Sequence, residues 1–143
     1  MKKNFWALIA LILIAGSSCY GQNQQDKESL EENKKISILY HQRNLKDIDK
    51  VLADDFIGSF YFEEPEARIW DKDSHRNAII NNPDTKDSIL FQIAEGDWVA
   101  TRFVRTSPYE GRIAKAEIMQ FKQFRNGKII KSFELISPLL ELE

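Results

Sequence analysis

Apolar residues follow a helical spacing in the first part of the chain and an alternating spacing in the last part. Residues 28–44 carry apolar positions at i, i+3 and i+4, which predicts a helix with one stripe facing a core. A shorter helix follows with Asp47 as its N-cap, and a third begins at Asp73 or Ser74 and ends before Pro83. The apolar positions of the three helices are Ile36, Leu39, Tyr40, Ile48, Val51, Leu52, Ala78, Ile79 and Ile80.

The remaining segments are predicted to be strands. One begins at Phe56, and the acidic run 63–66 ends it because its proline has no N–H to donate to a ladder. Later strands are joined by turns at residues 95–97 and at Asn126-Gly127, and Asn-Gly is the strongest short-range hairpin signal. Helices followed by a four-strand antiparallel run predict an α+β fold in which the helices cover one face of a curved sheet.

Residues 1–21 are predicted to form a signal peptide. Two lysines precede an apolar run over 5–15, which is too short for a membrane span and typical of the central region of a secretory signal. Either cleavage follows Gly21, or Cys19 is lipidated and becomes the new N-terminus. Gly16 stands where lipoprotein signals usually carry an aliphatic residue, which favours cleavage. We therefore expect an exported protein, periplasmic or secreted, with a membrane anchor only if Cys19 is lipidated.

Composition and motifs narrow the function classes further. Residues 22–27 are polar and form a predicted tether, which leaves 28–143 as one domain. The chain has 20 basic and 22 acidic residues, so no basic surface for nucleic acid is indicated. No His, Asp or Glu set shows metal-ligand spacing, and no Ser or Cys nucleophile motif is present. We expect no cofactor, no metal and no nucleic-acid partner.

The order of several motifs resembles that of a known family. These are residues 94–99 (Ala-Glu-Gly-Asp-Trp-Val), 126–129 (Asn-Gly-Lys-Ile) and 133–138 (Phe-Glu-Leu-Ile-Ser-Pro), together with the segment between 44 and 56. In order and spacing they are similar to the SnoaL-like branch of the nuclear transport factor 2-like superfamily. The resemblance covers 28–143 and implies N-terminal helices packed on a strongly curved antiparallel sheet that forms a cone with a pocket.

The resemblance implies that the last three strands point Arg102, Gln120 and Glu134 into the cone. Members of the family hold small, mostly apolar molecules there, and some isomerise or cyclise them with a carboxylate as the base. Burial would raise the pKa of Glu134 and suit it to that role, whereas a nearby Arg102 would hold it ionised in a structural ion pair. Related sequences often have His-Trp-Asp at 132–134 and Asp at position 120, so the acid–base relay of those relatives is missing here.

Further candidates surround the predicted pocket. Phe60 and Trp70 either line a cavity or fill a core, because large aromatic side chains bury readily in both cases. His75 is a candidate for the pocket rim or an ordinary exposed histidine at a helix start, and His41 is predicted to face solvent. The opposite sheet face is predicted to be apolar and to pair with a second copy in a homodimer. Its residues are Val99, Phe103, Met119, Phe121, Phe133 and Leu135.

Three functions remain open at this point. The first is an exported domain that binds a small apolar or amphipathic molecule in its cone without catalysis. The second is a cofactor-independent isomerase or cyclase with Glu134 as the general base and Gln120 or Arg102 stabilising the oxyanion. The third is a structural or protein-interaction module whose cone is packed shut by aromatic side chains. The missing relay favours binding without catalysis.

Overall fold

The computed structural model describes residues 26–61, 68–136 and 141–142. The predicted signal peptide, the tether up to residue 25 and the acidic run 63–66 lie outside the described residues. In the part of the chain that is described, no helix is both long enough and apolar enough to cross a membrane.

The described residues form three helices and seven strands. The helices are α1 (26–41), α2 (Leu45–Val51) and α3 (Lys72–Asn81). The strands are β1 (Leu52–Tyr61), β2 (Arg68–Asp71), β3 (Lys86–Glu95), β4 (Trp98–Tyr109), β5 (Arg112–Arg125), β6 (Lys128–Ile136) and β7 (Glu141–Leu142). The sequence did not predict the short strands β2 and β7, which have only four and two residues and no readable alternation.

Both short helices begin earlier than predicted. The Asn44 side chain caps α2 by accepting a hydrogen bond from the Lys46 N–H at 3.0 Å, so the prediction of Asp47 as the cap is wrong. Asp47 instead lies in the first turn, where its negative charge stabilises the positive end of the helix dipole. Asp71 caps α3 by accepting from the Ser74 N–H at 2.8 Å, which places this cap before the predicted one.

The sheet is mixed rather than wholly antiparallel. Its strand order is β2-β1-β6-β5-β4-β3, with β7 paired to β5. All these pairs are antiparallel except β1 and β6, which run parallel. A parallel neighbour needs a long crossover, and the chain between β1 and β6 supplies it through the other strands and α3. The predicted α+β fold class is therefore confirmed. The prediction of an antiparallel sheet is wrong for the pair of β1 and β6.

The three helices contribute to a core on one face of the sheet, which we call the inner face. The buried apolar cluster consists of Ile36, Tyr40, Ile48, Val51, Leu52, Phe56, Ile79, Val99, Phe124 and Ile129. Gly58 allows Trp70 to approach β1 from the paired strand, because a Cβ atom at position 58 would lie 2.1 Å from the Trp70 ring. Phe60 lies beside the same indole, with ring centroids 4.2 Å apart.

The predicted alternation of β4 is wrong by one residue. Val99 and Phe103, expected on the outer face, are fully buried on the inner face. Arg102, expected inside, is half-exposed and forms an ion pair with Glu117. A shift of one residue moves every side chain of a strand to the opposite face, and Phe103 gains more from burial than a guanidinium does. The prediction of a strand here is confirmed, but the predicted direction of its side chains is wrong.

Candidate functional site

Buried polar side chains concentrate on the inner face, between α1, α3 and the central strands. They come from positions that alternate along β4, β5 and β6 and from one side of each helix. The buried polar set includes Ser37, His41, His75, Thr101, Gln120, Lys122, Ser132 and Glu134. Buried polar groups cost free energy unless they are hydrogen-bonded, so their partners determine what this region does.

Arg105 and Asp87 form the strongest contact of this region. They lie directly opposite each other on β4 and β3. The Arg105 Nε and Nη2 atoms donate to the two oxygens of Asp87 at 2.8 and 3.0 Å, which is a bidentate pair. Burial opposes ionisation of Asp87, but hydrogen bonds from His41 and Arg105 outweigh it and hold the pKa of Asp87 well below its usual range. Asp87 is therefore ionised.

Glu134 lies beside this pair and is almost completely buried. Its Oε1 accepts from Gln120 Nε2 at 2.7 Å, and its Oε2 accepts from Arg105 Nη1 at 3.3 Å. Burial raises the pKa of Glu134, and the Arg105 charge opposes that rise. The expected cation partner, Arg102, is replaced by Arg105, so the predicted pairing of Arg102 with Glu134 is wrong. Arg105 lies on the inner face together with Val99, because the side chains of β4 point to the faces opposite to those predicted.

His41 links Asp87 to a buried amine. Its Nδ1 lies 3.0 Å from Asp87 Oδ2, and its Nε2 lies 2.7 Å from Lys122 Nζ. Since an ionised carboxylate only accepts, the Nδ1–H donates to Asp87 and the Nε2 accepts from Lys122. Burial and the Lys122 charge lower the pKa of His41 to about 3, so this histidine is neutral. The prediction that His41 faces solvent is wrong.

Lys122 has no direct carboxylate partner among the described residues. Its Nζ donates to Ser37 Oγ at 3.0 Å and to Thr101 Oγ1 at 3.3 Å, in addition to the histidine. Burial lowers the pKa of Lys122 to about 7, against the opposing influence of Glu134 and Asp87. The sequence did not single out this residue, because a lysine in an alternating strand usually points to solvent.

Three buried polar atoms on the inner face have no hydrogen-bond partner within the described part of the chain. They are His75 Nε2, Gln120 Oε1 and Ser132 Oγ. His75 stacks on Tyr40 with ring centroids 4.8 Å apart, and its Nδ1 lies 3.5 Å from the Tyr40 hydroxyl. Gln120 Nε2 donates to the same hydroxyl at 3.3 Å. The unpartnered atoms of His75 and Gln120 are thus grouped around Tyr40.

The structure brings together five of the six predicted site residues on the inner face and excludes one. Gln120 and Glu134 contact each other, and His75 joins them through Tyr40. Phe60 and Trp70 pack together on the β1–β2 hairpin, and Trp70 contacts the core. Arg102 lies on the opposite face. No group of three or more His, Cys, Asp or Glu residues placed to hold a metal occurs among the described residues.

Several solved structures have a fold similar to that of this chain. Bal32a from a soil-derived mobile gene cassette matches with a TM-score of 0.64 and 14% identity, covering 75% of this chain and 90% of that chain. A protein from Bacillus cereus ATCC 10987, assigned as a polyketide cyclase, matches with a TM-score of 0.61 and 14% identity over 74% of both chains. A protein from Jannaschia sp. CCS1, assigned as a SnoaL-like polyketide cyclase, has a TM-score of 0.60 and 11% identity over 75% of this chain and 86% of that chain.

No protein-family model matches the sequence, and no curated protein matches it. The likeness to solved structures therefore concerns the fold. The chain shares the fold of these solved structures, one of which is assigned as SnoaL-like, in agreement with the fold that the resemblance predicted.

Proposed function

We propose that the inner face binds a small, mostly apolar molecule that carries a polar group, and that it does so without transforming the molecule. The observation that carries this proposal is a set of three buried atoms that find no hydrogen-bond partner among the described residues, His75 Nε2, Gln120 Oε1 and Ser132 Oγ. Leaving such atoms without a partner costs about 1 to 3 kcal/mol each, and a bound molecule that hydrogen-bonds them removes that cost. The fold neighbours assigned as polyketide cyclases support an interior that accepts small organic molecules.

The contacts of Glu134 favour binding over catalysis. Both of its oxygens already accept hydrogen bonds, one from Gln120 and one from Arg105. A carboxylate that abstracts a proton must approach the reacting carbon, so each of these contacts has to be rearranged first. The same contacts hold Glu134 in place as part of a rigid polar wall.

Fluorescence titration with N-phenyl-1-naphthylamine tests the binding proposal. This probe is apolar apart from one N–H, which suits the open Gln120 Oε1. We expect saturable enhancement with the wild-type chain and an affinity about tenfold or more lower in Gln120→Leu, since a hydrogen bond in a buried site is lost. Arg102→Gln, a change on the outer face, is the matched control and should bind like wild type. Enhancement that survives Gln120→Leu but disappears in Leu135→Glu would place the probe on the outer face and contradict the proposal.

A second candidate is proton transfer by Glu134 next to a carbonyl group. Its support is the upward shift of the Glu134 pKa, which burial causes and which brings the carboxyl closer to the range of a general base at neutral pH. Isomerisation of a β,γ-unsaturated cyclic ketone to the conjugated ketone, followed by ultraviolet absorbance, tests it. Glu134→Gln, which keeps the shape and removes the base, should abolish any rate above background. An equal rate in this variant would exclude Glu134 as the base.

We also propose that the outer face joins two copies of the chain. Apolar side chains of four strands lie there, and the Phe121 and Phe133 rings stack at a centroid distance of 4.8 Å. Light scattering should give the mass of a dimer, and Leu135→Glu should shift it toward the monomer because a charge on this half-exposed position opposes burial.

Export remains part of the proposal, supported by the apolar run of residues 5–15 behind two lysines. Fractionation of cells that express the full chain tests it directly. We expect a shorter product outside the cytoplasm, and Cys19→Ser separates the two forms: loss of membrane attachment indicates lipidation, and no change indicates simple cleavage.

A further inference from the structure

Arg43 is a half-buried cation with no acidic partner in the part of the chain that the structure describes. It follows α1 with φ of 53°, in the left-handed region. Among the described residues, the one hydrogen bond of its side chain is weak, from Nη2 to the Ala78 carbonyl at 3.5 Å, and no carboxylate lies within ion-pair distance of it. By contrast, Arg76, Arg102 and Arg105, which are also partly exposed, each pair with a carboxylate. Burial lowers the pKa of Arg43, so its charge is poorly compensated.

His75 lies beside this cation and has an open nitrogen. Ala78, which Arg43 contacts, is one turn after His75 on α3, so the two positions share a side of the helix. We assign the Tyr40 hydroxyl, which accepts from Gln120, as the donor to His75 Nδ1, and this assignment places the proton of the neutral ring on Nε2. After burial, Arg43 is the largest influence lowering the pKa of His75 to about 4. His75 Nε2–H is thus a buried donor with no acceptor in the described structure.

Within the described residues, the charges that face this pair from the surrounding elements leave one positive charge in excess. Asp87 and Glu134 are the negative groups, and Arg105 bonds to both. Lys122 lies deeper and reaches Asp87 through His41. With Lys122 protonated, two carboxylates face Arg43, Arg105 and Lys122. One bound anion would balance them.

We propose that Arg43 and His75 bind the carboxylate of an amphipathic acid, whose apolar part lies against the aromatic hairpin of Phe60 and Trp70. The inference rests on the proposed function and names its ligand class. Arg43 supplies the charge, His75 Nε2–H supplies a directed hydrogen bond, and the adjoining aromatic rings supply apolar contact. Trp70 is the penultimate residue of β2, and Asp71 alone separates it from α3, which brings the aromatic surface next to the helix that carries His75.

Competition between a matched acid and alcohol tests this proposal. Decanoate and 1-decanol displace N-phenyl-1-naphthylamine from the wild-type chain, and the ratio of their inhibition constants is the readout. We expect decanoate to bind at least about tenfold more tightly, the gain typical of a charge-assisted hydrogen bond. Arg43→Gln should remove most of this preference without weakening 1-decanol. Arg76→Gln, next to His75 on α3 but paired with Asp49, is the control and should keep the preference.

The possible outcomes distinguish a failure of the proposed anion site from a failure of the binding function on which it rests. If the probe and 1-decanol bind and decanoate is no better, the anion site is wrong and the binding function stands. If none of the three molecules binds to the folded wild-type chain, the binding function itself fails. Arg43→Lys keeps the charge and should retain part of the preference, and His75→Leu should reduce it independently if Arg43→Gln does not fold. A decanoate preference unchanged in both Arg43→Gln and His75→Leu overturns the inference.

Discussion

The two faces of the same sheet differ in the polar groups that they hold. The inner face, covered by helices, holds two ionised or ionisable carboxylates, a lysine and two histidines, whereas the outer face carries stacked aromatic rings and aliphatic side chains. Burying charges without a binding or packing purpose is costly, and so is leaving apolar surface in water. The difference is consistent with the two proposals, in which the inner face contacts a small molecule and the outer face contacts a second copy of the chain.

The largest expected effect separates two arginines that lie three positions apart on β4 and point to opposite faces. Arg105→Ala leaves the carboxylates of Asp87 and Glu134 buried without their shared cation, so we expect the free energy of unfolding to fall by about 3 to 5 kcal/mol. Arg102→Ala removes an ion pair exposed to water on the outer face and should change stability little. Urea denaturation of both variants measures the contrast. Equal losses would show that the two faces do not differ electrostatically.

A smaller loss of stability is expected from a substitution at Gly58, which packs against Trp70. Gly58→Ala places a methyl group where the indole lies, so the ring must move, at a cost of about 1 to 3 kcal/mol. Ser59→Ala, the next residue on the outer face, is the control and should be nearly neutral. Thermal denaturation measures both, and adding Trp70→Ala should abolish the penalty of Gly58→Ala. A penalty that persists without the indole would contradict this packing.

The buried histidines predict a loss of stability in acid. His41 and His75 have pKa values lowered to about 3 and 4, so below pH 6.5 the unfolded chain binds protons that the folded chain does not. Stability should fall by about 1 to 2 kcal/mol per histidine between pH 6.5 and 5. Glu134, with its raised pKa, acts in the opposite direction, so the comparison is with the double variant His41→Gln, His75→Gln. Parallel stability curves for the two proteins would contradict the assigned burial.

The smallest effect on the folded monomer is expected on the outer face. Leu135→Glu should change monomer stability by less than about 0.5 kcal/mol, because surface substitutions away from special contacts are usually near neutral. Its effect should appear instead in the dependence of the melting temperature on protein concentration, which a dimer shows and a monomer does not. A wild-type melting temperature that does not depend on protein concentration would contradict the proposed dimer.

The sequence predicted the elements of the fold better than the direction of their side chains. Turns at residues 95–97 and 126–127 set the long strands, because Gly and Asn supply the positive φ that these turns need. The facing of β4 was ambiguous, since Val99, Phe103, Ala100 and Val104 allow apolar stripes on both faces. Only packing against α1 and β5 decides between them.

The candidate site was therefore predicted in part. The resemblance pointed Gln120 and Glu134 inward, and both side chains are buried on the inner face. Arg105 and Asp87 were missed, since their pairing across β3 and β4 depends on strand register, which a single sequence does not encode locally. His41 and Lys122 were missed because a buried histidine or lysine is uncommon and needs long-range partners.

Chemical-shift mapping with N-phenyl-1-naphthylamine tests the central claim most directly, since it reports which face of the sheet the molecule contacts. The account predicts shifts of the Gln120 side-chain amide and of the backbone amides of α3 and the inner positions of β6, with the signals of Arg102 and Leu135 unchanged. Shifts confined to the outer positions of β5 and β6, with the Gln120 amide unmoved, would contradict it.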